Sequence, residues 1–212
     1  MKLFYQTHSP YARKVLVMAH EVGLADRLQV IHHETSPTLR NDEVFNVNPL
    51  GKVPVLIRED GPVLFDSNVI CEYLDGLHAR QPAIPKENGE RMLCLRRQAL
   101  AQGLCDAGIL VRHETERRPE PYRYAPMRDG QIEKLLSAYD FLENEDPAID
   151  PRNAEADYVD IGQIALATAL SWLAFRRLPA FEPGRPRLSA WYRRFVQRPS
   201  MLATPFVGET VD

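Results

Sequence analysis

Over the first 77 or so residues, short apolar runs alternate with turn-forming clusters, and helical periodicity takes over beyond them. Lys2-Leu3-Phe4-Tyr5 reads as a strand. Ala12, Val15, Leu16, Ala19 and Val22 fall on one helical stripe, so a helix is predicted from Pro10 to Val22, stopped by Gly23. Leu28 to His32 reads as a second strand, and Pro37 to Phe45 as a loop with room for a helical turn. Two further strands are predicted, from Val53 to Ile57 and from Val63 to Phe65, separated by the turn residues Glu59-Asp60-Gly61-Pro62. Asp66-Ser67 then caps a helix running to Leu77. The predicted order is β-α-β-α-β-β-α, an α/β unit with a mixed sheet and helices on both faces.

Beyond a proline-bearing linker, residues 78–86, no strand pattern recurs. Helices are predicted from Glu90 to about Glu116, from Gln131 to Glu145, from Asp157 to Phe175 and from Leu188 to Val196, with a proline-rich break over Arg118 to Pro126. The Asp157–Phe175 segment is apolar nearly all round, which places it at the centre of a helical unit. Asp157 and Asp160 have the spacing of a capping box, a folding device. The expected organisation is an α/β domain over residues 1–77, a linker over 78–86 and an all-α domain over 87–212.

A chain of 212 residues with 44% hydrophobic content can bury a substantial core, and its net charge of −3 gives no reason to expect nucleic acid or a membrane surface as partner. Cys71, Cys94 and Cys105 form no C-x-x-C pair, and a sparse odd count fits a reducing compartment. The first residues carry no signal-peptide h-region, and no apolar run reaches the roughly 18 residues of a membrane span, so a cytoplasmic protein is expected. His32-His33 lacks a third ligand at recognisable spacing, so no metal is expected.

The candidate chemistry lies between Asn48 and Ser67. Pro54 cannot donate to a sheet ladder and must sit at a strand's edge or first position. A cis bond is common there and leaves the Val53 backbone facing outward, able to pair with an extended peptide. Asp66 and Ser67 at a helix start offer N–H groups, a hydroxyl and a carboxylate to a zwitterionic head group. A peptide with an amino-acid-like end fits both features. Ser9, just before Pro10, reads as a helix N-cap.

The Asn48–Ser67 stretch resembles the glutathione-binding half of a glutathione transferase, a thioredoxin-like domain. Lys2-Leu3-Phe4-Tyr5 followed by Ser9-Pro10-Tyr11-Ala12-Arg13-Lys14-Val15 is similar to bacterial members with serine in the thiol-facing position. Asp106-Ala107-Gly108, Phe175-Arg176-Arg177 and Arg198-Pro199-Ser200-Met201 follow in the family's order, and the resemblance covers essentially the whole chain.

The resemblance implies that the Val53 backbone and Pro54 hold the cysteinyl unit of glutathione, that Lys52 approaches its glycyl carboxylate, and that Asp66 and Ser67 hold its γ-glutamyl end. For Lys52 a solvated turn position is the competing reading; for Asp66 and Ser67 a helix cap is a compatible one. Ser9 either only caps the helix or also donates its hydroxyl to a thiolate, aided by the helix start. Such sites lower a thiol from about 8.5 to between about 3.5 and 7.5, and two units correspond to about 2.7 kcal/mol. Tyr5 is the rival activator, with a half-buried strand aromatic as its alternative.

The electrophile pocket is expected between the domains, with His8, Asp106 and Arg112 as polar wall residues alongside His113 and Tyr122; a solvated helix face is the alternative for Asp106, Arg112, His113 and Tyr122. Arg13 is expected on an exposed turn of the first helix. The implied activity is attack of the glutathione thiolate on a hydrophobic electrophile, as in detoxification, by a homodimer that needs no metal. A non-catalytic binding or interaction module on the same fold, and a glutathione-dependent isomerase or dehalogenase, remain as alternatives.

Overall fold

The computed structural model describes residues 1–146, 149 and 158–208. The N-terminal part comprises β1 (Lys2–Tyr5), α1 (Pro10–Glu21), β2 (Gln29–His32), α2 (Asp42–Val47), β3 (Val55–Ile57) and α3 (Ser67–Asp75). Among the described residues the sheet order is β2-β1-β3, with β1 parallel to β2 and antiparallel to β3.

Alternation along the strands divides the core between the two faces of the sheet. Leu3 and its partner Leu56 join Val15, Met18, Ile70 and Leu74 of α1 and α3. Phe4 and its partner Val55 face the other way, onto Val44 of α2. The expected fourth strand is reduced to one bridge, Leu56 with Leu64, because the Arg58–Pro62 turn consumes the residues that would extend the pairing. The loop expected over Pro37 to Phe45 contains the start of α2, with Asn41 as its cap accepting from Val44 N. Gly51 has φ +61°, and a Cβ there would lie 2.2 Å from the Phe45 ring. Only glycine fits that turn.

The helical part comprises α4 (Asn88–Arg112), α5 (Ala125–Glu145), α6 (Ile161–Phe175), α7 (Pro186–Phe195) and α8 (Pro199–Leu202). α6 is buried on nearly every side and packs against α4, as its apolar circumference predicts. α4 ends earlier than expected, in a π-helical turn over His113–Arg117, because Glu114 turns inward to accept from Tyr124 N at 2.7 Å and caps the start of α5.

The capping box of α6 is Asp160 with Gln163, so the Asp157–Asp160 pairing is displaced by three residues; Asp157 itself lies outside the described residues. The reason is tertiary. Asp160 also pairs with Arg97 of α4 at 3.0 Å, and Ile161 N donates to Ala83 O at 2.9 Å. Arg13 is not on an exposed turn: it is 3% exposed, and its guanidinium donates to Ser171 Oγ at 2.7 Å and to Met201 O at 3.0 Å. It therefore fastens α1 to α6 and α8.

The linker is likewise pinned. The Asp75 carboxylate accepts from Ala83 N at 2.6 Å and Ile84 N at 3.1 Å, and Tyr158 donates to Pro82 O at 2.9 Å. No described helix is long and apolar enough to cross a membrane.

Candidate functional site

Strand register gathers the candidate residues at one edge of the sheet. Because Phe4 pairs antiparallel with Val55, the turn after β1 lies beside Val53-Pro54. Because Leu56 pairs antiparallel with Leu64, the chain returns to that same edge at Asp66. The N-termini of α1 and α3 therefore open beside the Val53-Pro54 segment.

Ser9 caps α1 with φ −86° and ψ 121°, and its Oγ accepts from Ala12 N at 3.2 Å. Its own hydroxyl proton meets no acceptor among the described residues, so it is available to an anion above the helix start. Two anchors hold the turn before it: Ser9 N donates to Gln6 O at 3.0 Å, and Trp172 Nε1 of α6 donates to His8 O at 3.0 Å. Tyr5 is buried, and burial raises its phenol, with the nearby Arg13 guanidinium acting in the opposite direction.

The Val53–Pro54 bond is cis, and no described residue takes the Val53 N–H or carbonyl. Lys52 is exposed, with its carbonyl accepting from Asn48 Nδ2 at 2.8 Å. Asp66 caps α3, accepting from Asn68 N at 2.9 Å, and its carboxylate is exposed. Ser67 is 1% exposed, and its Oγ has no hydrogen-bond partner. A buried hydroxyl left unpaired costs about 1–3 kcal/mol unless a ligand meets it.

The three expected wall residues are not equivalent. Asp106 is exposed on α4 and accepts a hydrogen bond from the Tyr11 hydroxyl across the seam between the two halves. Arg112 is buried and donates from Nε to Glu116 at 2.9 Å. His8 is 4% exposed, with Nε2 3.6 Å from the Glu34 carboxylate. Burial pushes its imidazole down to about 4; Glu34 opposes this, while Arg176, His32 and Arg112 add to it. His8 is thus a neutral residue packed beneath the turn. His113 lies in the π-helical turn, and Tyr122 is 73% exposed in a short 3₁₀ turn.

Tyr11, Lys14, Asn68 and Gln98 also converge on the site, and the sequence reading did not single them out. Lys14 and Gln98 both donate to Asn68 Oδ1, at 2.7 and 2.8 Å. The available signal was helix phase: Tyr11 and Lys14 are three apart on α1 and share a face. A cavity of about 520 Å³ bordered by Pro82, Pro85, Cys94 and Tyr158 holds none of these residues. Among the described residues no His, Cys, Asp and Glu cluster could hold a metal ion.

Residues 8–77 match the N-terminal domain family of glutathione S-transferases. The chain is 31% identical over 205 residues to the uncharacterised glutathione-transferase-like protein YibF of Escherichia coli K12, covering 96% of this chain and 98% of that one. A glutathione transferase family member from Pseudomonas fluorescens Pf-5, solved with bound glutathione, superposes with a TM-score of 0.90 at 39% identity, covering 98% of this chain and 99% of that one. A second structure from Pseudomonas fluorescens Pf-5, solved with S-(propanoic acid)-glutathione, gives a TM-score of 0.84 at 41% identity over 98% of this chain and all (100%) of that one. The fold is therefore a thioredoxin-like N-terminal part joined to a helical C-terminal part, and the chain belongs to the glutathione S-transferase family.

Proposed function

We propose that the protein is a cytoplasmic glutathione transferase in which residues 1–77 bind glutathione and the helical residues 87–212 complete the pocket for a small, largely hydrophobic electrophile. Glutathione lies extended along the sheet edge. Its cysteinyl unit pairs with the Val53 backbone beside Pro54, its glycyl carboxylate approaches Lys52, and its γ-glutamyl end meets Asp66 and Ser67. The observation that carries this reading is the set of unspent groups along one edge: the Ser9 hydroxyl proton, the Val53 backbone and the buried Ser67 Oγ. The glutathione and glutathione conjugate held by the Pseudomonas fluorescens relatives support it.

The chemistry is nucleophilic displacement or addition by a sulfur anion. The thiol proton leaves to solvent, and the thiolate is stabilised by the Ser9 hydroxyl and the start of α1. The thiolate then attacks an electrophile held at the seam where Tyr11 meets Asp106, either expelling its leaving group to solvent or adding to it with solvent protonating the resulting carbanion, while positioning lowers the entropic part of the barrier. The protein's own thiols are poor candidates for this role. All three cysteines are buried, and burial pushes Cys71 up to about 11 and Cys94 up to about 12.

A calorimetric titration with glutathione, followed by a conjugation assay over aryl halides, alkyl halides and enones, tests the reading. Saturable binding with thioether formation is expected. Binding without any turnover would favour a ligand-binding module, and release of halide or an isomerised product without a thioether would favour a dehalogenase or isomerase. A symmetric homodimer is the expected assembly, to be checked by light scattering.

A further inference from the structure

Lys14 is 4% exposed, with its ammonium group in the seam where α1 meets α3 and α4. An ammonium has only protons to give, so Asn68 must present its oxygen to Lys14, and that same oxygen accepts from Gln98. The Asn68 amide nitrogen is thereby left facing Asp66, 3.4 Å from Oδ2. Burial pushes the lysine's pKa down, while Cys71, Asp66 and Cys105 act the other way. A buried cation is expensive unless something needs its charge.

The start of α3 supplies the need. Its N–H groups and the unpaired Ser67 Oγ suit a carboxylate. Two fixed negative charges stand close by, Asp66 on the cap and Asp106 across the seam, and both act on the Tyr11 hydroxyl. A head group bearing an ammonium and a carboxylate on one carbon would find a partner for the first and repulsion for the second.

We propose that Lys14 is a charge-balancing and positioning residue. From beneath the helix start it offsets Asp66, so that the α-carboxylate of an amino-acid head group is accepted at Ser67 while its ammonium meets Asp66. The inference rests on the glutathione reading above and deepens it at the γ-glutamyl end. Lys14 touches no ligand. It acts through its charge and through the orientation it imposes on Asn68.

The test compares wild type, Lys14→Met and Lys14→Arg by calorimetry with two ligands: glutathione, and 4-aminobutyryl-Cys-Gly, which keeps the ammonium but lacks the α-carboxylate. Lys14→Met should bind glutathione roughly tenfold more weakly, the scale of one partly screened charge pair, and the carboxylate-free ligand no more weakly than wild type does. Lys14→Arg should restore glutathione binding. An equal loss for both ligands would mark Lys14 as merely structural and overturn the proposal, as would unchanged glutathione affinity. Methionine has similar volume and leaves no buried charge, so the fold should survive the change. Failure of the wild type to bind glutathione would instead sink the functional reading itself.

Discussion

Trp172 Nε1 donates to the carbonyl oxygen of His8 at 3.0 Å, so the central helix of the C-terminal half holds the turn that presents Ser9. Trp172→Phe keeps the aromatic packing and deletes the donor. The buried His8 carbonyl then goes unpaired, at a cost of about 1–3 kcal/mol. Denaturant unfolding should register that loss, and glutathione affinity should fall with it. Unchanged affinity would separate the turn from the helical half.

Arg97 is 5% exposed and binds Asp146 through two hydrogen bonds of 2.8 Å while also pairing with Asp160 at 3.0 Å. Arg97→Ala removes the cation from the buried Asp146 and from Asp160, and breaking a buried pair from one side costs about 3–5 kcal/mol. An unfolding midpoint close to wild type would contradict the ion triad as a structural keystone between α4 and α6.

Glycine marks the closest approach of those same helices. A Cβ at Gly162 would lie 2.5 Å from Cys94 O, so Gly162→Ala should destabilise by about 1–3 kcal/mol as the helices are pushed apart. At Gly103 on α4 nothing lies within 4 Å, so Gly103→Ala should stabilise by about 0.5–1 kcal/mol. Thermal unfolding of the two variants should shift in opposite directions.

Glu21, at the end of α1, accepts two hydrogen bonds of 2.8 Å from Arg198 and one from Ser200. Burial alone would raise its carboxyl, but these bonds and the Arg198 charge overcome that, and it lies below the usual value. A group depressed in the folded state contributes stability that is present above its unfolded pKa, near about 4.3, and lost as pH falls through the folded value. Glu21→Gln should therefore be less stable than wild type at neutral pH, with the gap closing under acid. A gap independent of pH would assign the effect to packing.

Residues whose local conformation depends on their own chemistry were legible without the structure. Pro10 and Ser9 mark a helix start, Pro54 a strand edge, and Asp66 a cap. Residues positioned by distant partners were not. Two spacings near α6 fit a capping box, and the choice of Asp160 with Gln163 depends on Arg97 and Ala83, which no local window contains. Arg13 and Lys14 look like ordinary solvated helix residues until α6, α8, α3 and α4 close over them. Arg112 and His8, expected on the pocket wall, are drawn towards Glu116 and Glu34. Asp106 stands on the seam, joined to Tyr11.

The most direct test of thiol activation by Ser9 is an ultraviolet titration of the glutathione thiolate bound to wild type and to Ser9→Ala. The bound thiol should titrate well below free glutathione in the wild type and rise by about 1–2 units in the variant, within the range such sites impose on thiols. A bound thiol that titrates identically in both proteins would remove Ser9 from the chemistry and leave it a helix cap.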